Sequence, residues 1–477
     1  MMKTKALVIL CIFSILTLSK LYAQNAPTTY NLQTSINIAL ANNIPVKQAA
    51  LQEEADKLTL NQAKYNRLPN VAANVNYGIN NGRSIDPFTN SYNNQQLSTS
   101  NANLTASVPV FKGLELKNSI QQAFLTQQAS AMELQQEKDN LTLNVILAFL
   151  QLMNDEDVLA LTRNQILVTQ KQAERLEKLN NEGAISPSLL YDMRGQYATD
   201  QLAVITAAKS LENSKLSLAQ YMNIPYKKEI GVDRAGFDMT IALYEGTADK
   251  IYATAIEKLA LVKAADLRTR AATKAIRVAS AGFYPTLSLI GQLGSNYSSA
   301  ASTKTIASVN DVASGDYVFV NNTTYQVITK DVKLNSHKIN YFTQYNNNLN
   351  TFFGLNLQVP IFSSFQTRTN VRLARVEEKR VSYIAENTKI QLRQAIEQAH
   401  LNMTTAYEKY NITAEQVKAF EESFHAAEIK FNLGAINSVE YLIVKNNLDR
   451  ATQNLTIARY EYLLRTKVLD FYQGSLK

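Results

Sequence analysis

The chain has 477 residues, 46% of them hydrophobic and 18% charged, with a formal net charge of +8; this is enough for two or three ordinary domains or one large duplicated one. A single cysteine and three histidines (His337, His400 and His425, none at metal-ligand spacing) exclude a disulfide framework and argue against a thiolate or imidazole metal centre. No basic cluster is interleaved with aromatics, so the positive balance reads as solvated surface rather than as a nucleic-acid footprint.

Residues 1–23 read as a secretory signal: Lys3 and Lys5 precede an apolar run over 6–18, and Ala23 stands before Gln24. Leu21 is larger than the residue usual three positions before a cut. Cys11 lies inside the apolar run, too early for lipid attachment, so removal of the leader leaves 454 residues, no thiol and a net charge of +5. No later apolar run approaches the roughly 18 residues of a spanning helix. An exported chain of this kind is periplasmic, secreted or an outer-membrane β-barrel.

A helical stretch of about 30 residues then ends at Leu68-Pro69. Two strands follow, over 70–80 and 101–111. In the first, Val71, Ala73, Val75, Tyr77 and Ile79 share one face and Asn74, Asn76 and Asn80 the other; in the second, Leu104, Ala106, Val108 and Val110 oppose Asn103, Thr105 and Ser107. The polar segment between them, 81–100, carries the turn signal Asp86-Pro87. A long helix is predicted over 112–182, a turn at Gly183-Ala184-Ile185-Ser186, and a returning helix over 187–222.

The plan is then repeated, dividing the mature chain into 24–247 and 248–477. Ala39-Leu40, Val46-Lys47 and Leu68-Pro69 recur at an offset of 216 as Ala255-Ile256, Val262-Lys263 and Tyr284-Pro285. Val108-Pro109-Val110-Phe111 and Gly183-Ala184-Ile185-Ser186 recur at an offset of 251 as Val359-Pro360-Ile361-Phe362 and Gly434-Ala435-Ile436-Asn437. The difference is one 35-residue insertion, assigned to a polar loop over about 298–348. The second copy has strands at 286–296 and 350–361, a long helix over 363–433 and a returning helix over 438–473. Ile396, Met403, Tyr410, Val417, Phe424 and Phe431 recur every seven residues, a coiled-coil seam whose first-copy counterparts Val145, Leu152, Leu159, Ile166, Ala173 and Asn180 weaken toward the turn.

Strands of about 10 residues suit a tilted membrane strand or a soluble sandwich. Long polar loops at one end and helices at the other favour the barrel, yet four strands cannot close one, since small barrels need about 8. Open edges in lipid are costly, so the chain must associate. Two copies would leave little room inside; three would supply twelve strands around a lumen lined by Asn, Ser, Thr and Gln, with a hollow helical cylinder beyond.

This order of elements resembles the TolC-like outer-membrane efflux family, through Ala39-Leu40-Ala41-Asn42-Asn43, Leu68-Pro69 before the strand, the Gly-x-x-Ser/Thr turn, and the duplication. The resemblance covers essentially the whole mature chain. It implies an α+β membrane protein whose four strands join a trimeric 12-stranded β-barrel in the outer membrane, with a long α-helical coiled-coil barrel in the periplasm. It implies a homotrimer, a periplasmic adaptor and, through it, an inner-membrane pump, with no cofactor. Drug efflux and type I protein secretion use the same conduit, and a soluble secreted coiled-coil scaffold is the alternative from another class.

Gly183 and Gly434 are expected to cap the long helices in the left-handed region, with Ser186 or Asn437 as the next N-cap and Pro187 at the first helical position. By the resemblance, Gly183, Ala184, Ile185, Ser186, Gly434, Ala435, Ile436 and Asn437 form the periplasmic tip that meets the adaptor, with Ala184, Ile185, Ala435 and Ile436 as exposed apolar groups. Glu440, three residues past Asn437, fits a capping box, and it also matches the family's first acidic constricting ring. The second ring position is Ile443, the first-copy equivalent is Leu189, and Ile436 stands where the family has a closing arginine, so at most one acidic ring remains. Arg368, Arg372, Arg375, Lys379 and Arg380 follow the fourth strand, either as a solvated face paired with Glu377 and Glu378 or as contacts to lipid phosphate. Tyr77 and Phe353 suit an aromatic girdle or simple wall packing. No phosphate loop, His-Glu-x-x-His or nucleophile–histidine pair is present, which argues against an enzyme.

Overall fold

The computed structural model describes residues 29–85, 90–94, 96–235 and 240–475. The expected signal peptide with Cys11, and the Asp86-Pro87 turn, lie outside the described residues. In chain order the elements are β1 (Thr29–Tyr30), α1 (Leu32–Asn42), α2 (Ile44–Tyr65), β2 (Asn70–Asn80), β3 (Ser84–Ile85), β4 (Tyr92–Asn93), β5 (Leu97–Lys112), α3 (Glu115–Asn181) and α4 (Pro187–Tyr221). There follow β6 (Gly231–Val232), α5 (Ala248–Lys258), α6 (Ala260–Ser280), a 3₁₀ turn (Ala281–Phe283), β7 (Thr286–Ser298), β8 (Ser302–Val320), β9 (Thr323–Lys338), α7 (Tyr341–Asn347), β10 (Asn350–Gln358), α8 (Gln366–Asn432) and α9 (Ser438–Tyr472). Contacts divide the described residues into two compact units, each built from both sequence copies: a helical one (29–58, 124–272 and 377–475) and a strand-bearing one (59–123 and 273–376).

The helical unit has two main cores, and they are replicas. In the first, Ala39 and Val46 meet Leu141, Val145, Ala148, Leu152 and Leu218. In the second, Ala255 and Val262 meet Leu392, Ile396, Ala399, Met403 and Leu469, the same positions shifted by 216 and 251. The seam on α8 is as expected: Ile396, Met403, Val417 and Phe431 are buried, Tyr410 and Phe424 half-buried. A second stripe of Leu392, Ala399, Ala406, Thr413 and Ala427 completes the alternating three-four spacing of a coiled coil. On α3 the register is kept but one stripe weakens before the turn: Thr162, Thr169 and Leu176, which continue the second stripe, are buried, and Ile166, Ala173 and Asn180 only half so.

Two expectations need correction. Each helix of about 30 residues is two helices, broken at Asn43 and at Leu259, which are equivalent under the 216 offset. Asn43 is extended (ψ 126°) and its side chain accepts a hydrogen bond from the Val46 amide at 3.1 Å, while Pro45 sits in the first turn of α2. Leu259 is extended too (ψ 133°) without such signals; its side chain is buried in the second core, so packing holds the break. The insertion is not an irregular loop either. It forms the two-stranded antiparallel hairpin β8–β9, turning at Asn321-Asn322, whose φ values of 49° and 66° suit the left-handed turn that asparagine tolerates. Register shifts between Ile306 and Ser308 and between Ala313 and Tyr317 disrupt the alternation that would have marked it as strand.

The strand-bearing unit holds a four-stranded antiparallel sheet in the order β10-β7-β5-β2. One face carries Val71, Ala106 and Phe353 on one rung and Val108, Leu289 and Leu355 on another; the other face carries Asn74, Asn103 and Asn350 on one rung and Thr105 and Gln292 on the next. Leu97, Ile290 and Phe352 are the large apolar exceptions on the polar face. Pro109, in a central strand, stands at the bulge before Phe111 and beyond the pairing with β2, where its missing amide costs no ladder bond.

Candidate functional site: the helical tip and the sheet wall

The tip lies within the helical unit. At the end of α3, Gly183 has φ 71°, the Gly183 amide donates to the Asn180 carbonyl at 3.0 Å, and the Ala184 amide donates to the Leu179 carbonyl at 2.9 Å. At the end of α8 the pattern repeats: Gly434 has φ 73°, and the Gly434 and Ala435 amides donate to Phe431 and Lys430 at 3.0 and 2.8 Å. These paired bonds are a Schellman cap, which satisfies carbonyls that the helix end leaves open. The chain then re-enters helix at Ser186, whose hydroxyl accepts from the Ser188 amide at 3.3 Å, and at Asn437, which accepts from the Glu440 amide at 2.9 Å. Pro187 is the first helical residue of α4.

The two turns pack on one small core of Leu176, Leu190, Met193, Phe431 and Tyr441, in which the Phe431 and Tyr441 rings stack at 4.5 Å. Ile185 and Ile436 lean on this core and are only half exposed, contrary to the expectation that both are free. Ala184 and Ala435 are exposed, and Leu433, which the sequence reading passed over, is the bare apolar side chain of the tip at 78% exposure. Ser438 donates to Asp192 at 3.0 Å, tying the two turns together, and Arg175 hydrogen-bonds Asn432. Between them lies a cleft of about 490 Å³ whose lining includes Arg175, Ile185, Ile436 and Glu440. Glu440 is exposed; its backbone amide donates to Asn437 and its side chain makes no hydrogen bond among the described residues, so the reciprocal side-chain half of a capping box is not formed.

Three helices also share a buried charge cluster that the sequence reading missed. Lys445 on α9 is 2% exposed and donates to Asp449 at 2.5 Å and to Asp200 on α4 at 3.3 Å. Asp200 also accepts from Thr169 on α3 at 2.5 Å and from Gln196 at 2.7 Å. Burial pushes the Asp449 carboxyl above its ordinary range, against the lowering pull of Lys445. The available signal was spacing: Ser438, Tyr441 and Lys445 fall on one buried stripe, where a lysine needs acidic partners.

The wall lies in the strand-bearing unit. Its apolar face is bare: Val75 is 71% exposed, Tyr77 64%, Phe353 81% and Leu355 69%. Among the described residues the outer strands β2 and β10 each lack a ladder partner on one edge. Among the described residues no second sheet covers this one, as a soluble sandwich would require. No helix among the described residues is long and apolar enough to cross a membrane, and no group of histidine, cysteine and carboxylate residues there could hold a metal ion.

A duplicated helix–strand–strand–long-helix plan, with a bare-faced sheet and capped helical tips, defines the class of outer-membrane channel subunits with a long helical part. The profile described as "Outer membrane efflux protein" matches residues 35–223 and 251–475, and the chain belongs to that family. It is 22% identical to the outer membrane protein TolC of Escherichia coli (strain K12) over 453 residues, 94% of this chain and 82% of TolC. Its fold is similar to that of CusC, with a TM-score of 0.74 at 14% identity over 95% of both chains. It is also similar to that of VceC from Vibrio cholerae, with a TM-score of 0.72 at 14% identity over 94% of this chain and 97% of the other.

Proposed function

We propose that three copies of this chain form a passive exit duct across the outer membrane. The observation that carries this reading is the four-stranded sheet with two open edges and a bare apolar face. Lipid against that face and ladder partners along those edges remove both liabilities, and closure of three sheets supplies both. The polar face with Asn74, Asn103, Asn350, Thr105 and Gln292 then lines a water-filled lumen. The helical barrel continues into the periplasm. Family membership supports this arrangement.

At the periplasmic end, Gly183, Ala184, Ile185, Ser186, Gly434, Ala435, Ile436 and Asn437 meet an adaptor that links the duct to an inner-membrane pump, and adaptor binding opens the tip. Glu440 supplies the acidic ring of the gate: an exposed carboxylate with no side-chain partner at the rim of the tip cleft attracts cations. Planar-bilayer recording of the purified protein tests this. The wild type should conduct with a preference for cations, and Glu440→Gln should reduce that preference severalfold while leaving the channel intact. An unchanged preference would remove Glu440 from the gate, and a protein that conducts nothing under any condition would contradict the duct.

A further inference from the structure

Past Gln358, where β10 ends, the chain runs on through exposed apolar and aromatic positions: Val359 is 54% exposed, Ile361 95%, Phe362 73% and Phe365 62%. The Phe362 and Phe365 rings meet edge to face at 5.6 Å. Ser364 and Phe365 both take left-handed backbone, with φ 50° and 59°. The equivalent first-copy pair, Gly113 and Leu114, does the same at 55° and 64°, so the turn belongs to the duplicated plan. A Cβ at Gly113 would lie 2.7 Å from the Ala281 carbonyl oxygen, which demands glycine there; Ser364 is exposed and meets no such limit.

Immediately beyond, α8 presents Arg368, Arg372 and Arg375, spaced by four and three residues on one exposed helical face. None has a side-chain hydrogen bond or an ion pair among the described residues. The nearby Glu377 is engaged by Arg380 at 2.5 and 2.8 Å and shows no pairing with these three. Their first-copy counterparts are Lys117, Gln121 and Phe124, so duplication does not account for the stripe. Three like charges within two turns repel one another and weaken the helix unless an anion lies against them.

We propose that Arg368, Arg372 and Arg375 bind the phosphate groups of an anionic phospholipid leaflet at the rim of the barrel from which α8 departs. This rests on the reading that the sheet lies in a bilayer. The chain there runs from bare apolar wall through paired aromatics to cations, the order in which a bilayer presents hydrocarbon, interface and phosphate. Guanidinium groups suit phosphate because they donate two parallel hydrogen bonds.

The test is reconstitution of the full-length protein into nanodiscs of equal parts phosphatidylglycerol and phosphatidylcholine, with the retained lipid counted by native mass spectrometry. The wild type should retain phosphatidylglycerol in excess. Each arginine changed to glutamine should lower that excess by about fivefold, the equivalent of about 1 kcal/mol. The triple variant R368Q/R372Q/R375Q should fall to the bulk ratio with its oligomeric mass unchanged, and R368K/R372K/R375K should keep most of the preference. No preference in the wild type, or a full preference in the triple glutamine variant, overturns the proposal. Loss of the excess on adding inorganic phosphate at matched ionic strength would assign the stripe to a free anion and overturn it too. A wild type that enters no nanodisc contradicts the membrane reading itself, which separates the two failures.

Discussion

Lys445 shows how a single side chain ties the helices behind the tip together. Its ammonium is enclosed by Asp200 and Asp449, and Asp200 is held in turn by Thr169 and Gln196. Truncating one partner of a buried pair costs more than the pair contributes, because the other charge stays desolvated. Lys445→Met should therefore destabilise the protein by about 3 kcal/mol, read as a lower melting temperature, and adding Asp200→Asn and Asp449→Asn should recover most of the loss. The pH dependence has a definite sign. Burial already holds the Asp449 carboxyl above its ordinary value, so its contribution to stability is fully present below that ordinary value and is lost as pH rises through the raised one. Without Lys445 the carboxyl rises further. The deficit of the variant should be largest at neutral pH and shrink on acidification; a deficit that grows on acidification would contradict the ion pairing. The sequence did not reveal this cluster, because a lysine on a helix ordinarily reads as solvated. The caps at Gly183 and Gly434 were legible, because a helix reversal leaves few alternatives to a left-handed glycine followed by a polar N-cap. Burial of Ile185 and Ile436 was not, because it depends on how the two turns face each other.

Among the elements, long-period signals proved readable and local irregularities did not. The heptads of α8 correspond to its buried stripe, and alternation marked the faces of β2 and β5. The break at Leu259 has no capping residue or proline to announce it and is visible only as the duplicate of Asn43. The hairpin β8–β9 was hidden by its two register shifts and its polar content. Its ladder is internal, β8 pairing only with β9, and its base is closed by the Ile339 amide donating to the Ala301 carbonyl at 3.1 Å. Replacing residues 302–338 by a short turn should leave membrane insertion and melting of the remaining protein unchanged, as measured by outer-membrane fractionation and thermal unfolding. Failure to insert would show that the hairpin supports the sheet.

For the whole molecule, the repeat explains why a chain of this size makes only four wall strands: each copy contributes one hairpin to the sheet and one set of helices to the replicated cores. A sheet with a bare apolar face and two open edges is incomplete alone, and in the proposed duct identical copies complete it. The most direct test is the native mass of the mature protein extracted from outer membranes in mild detergent. A twelve-stranded barrel closed by three sheets requires the mass of three chains and no soluble fraction without detergent; a monomer that stays soluble on its own would contradict it.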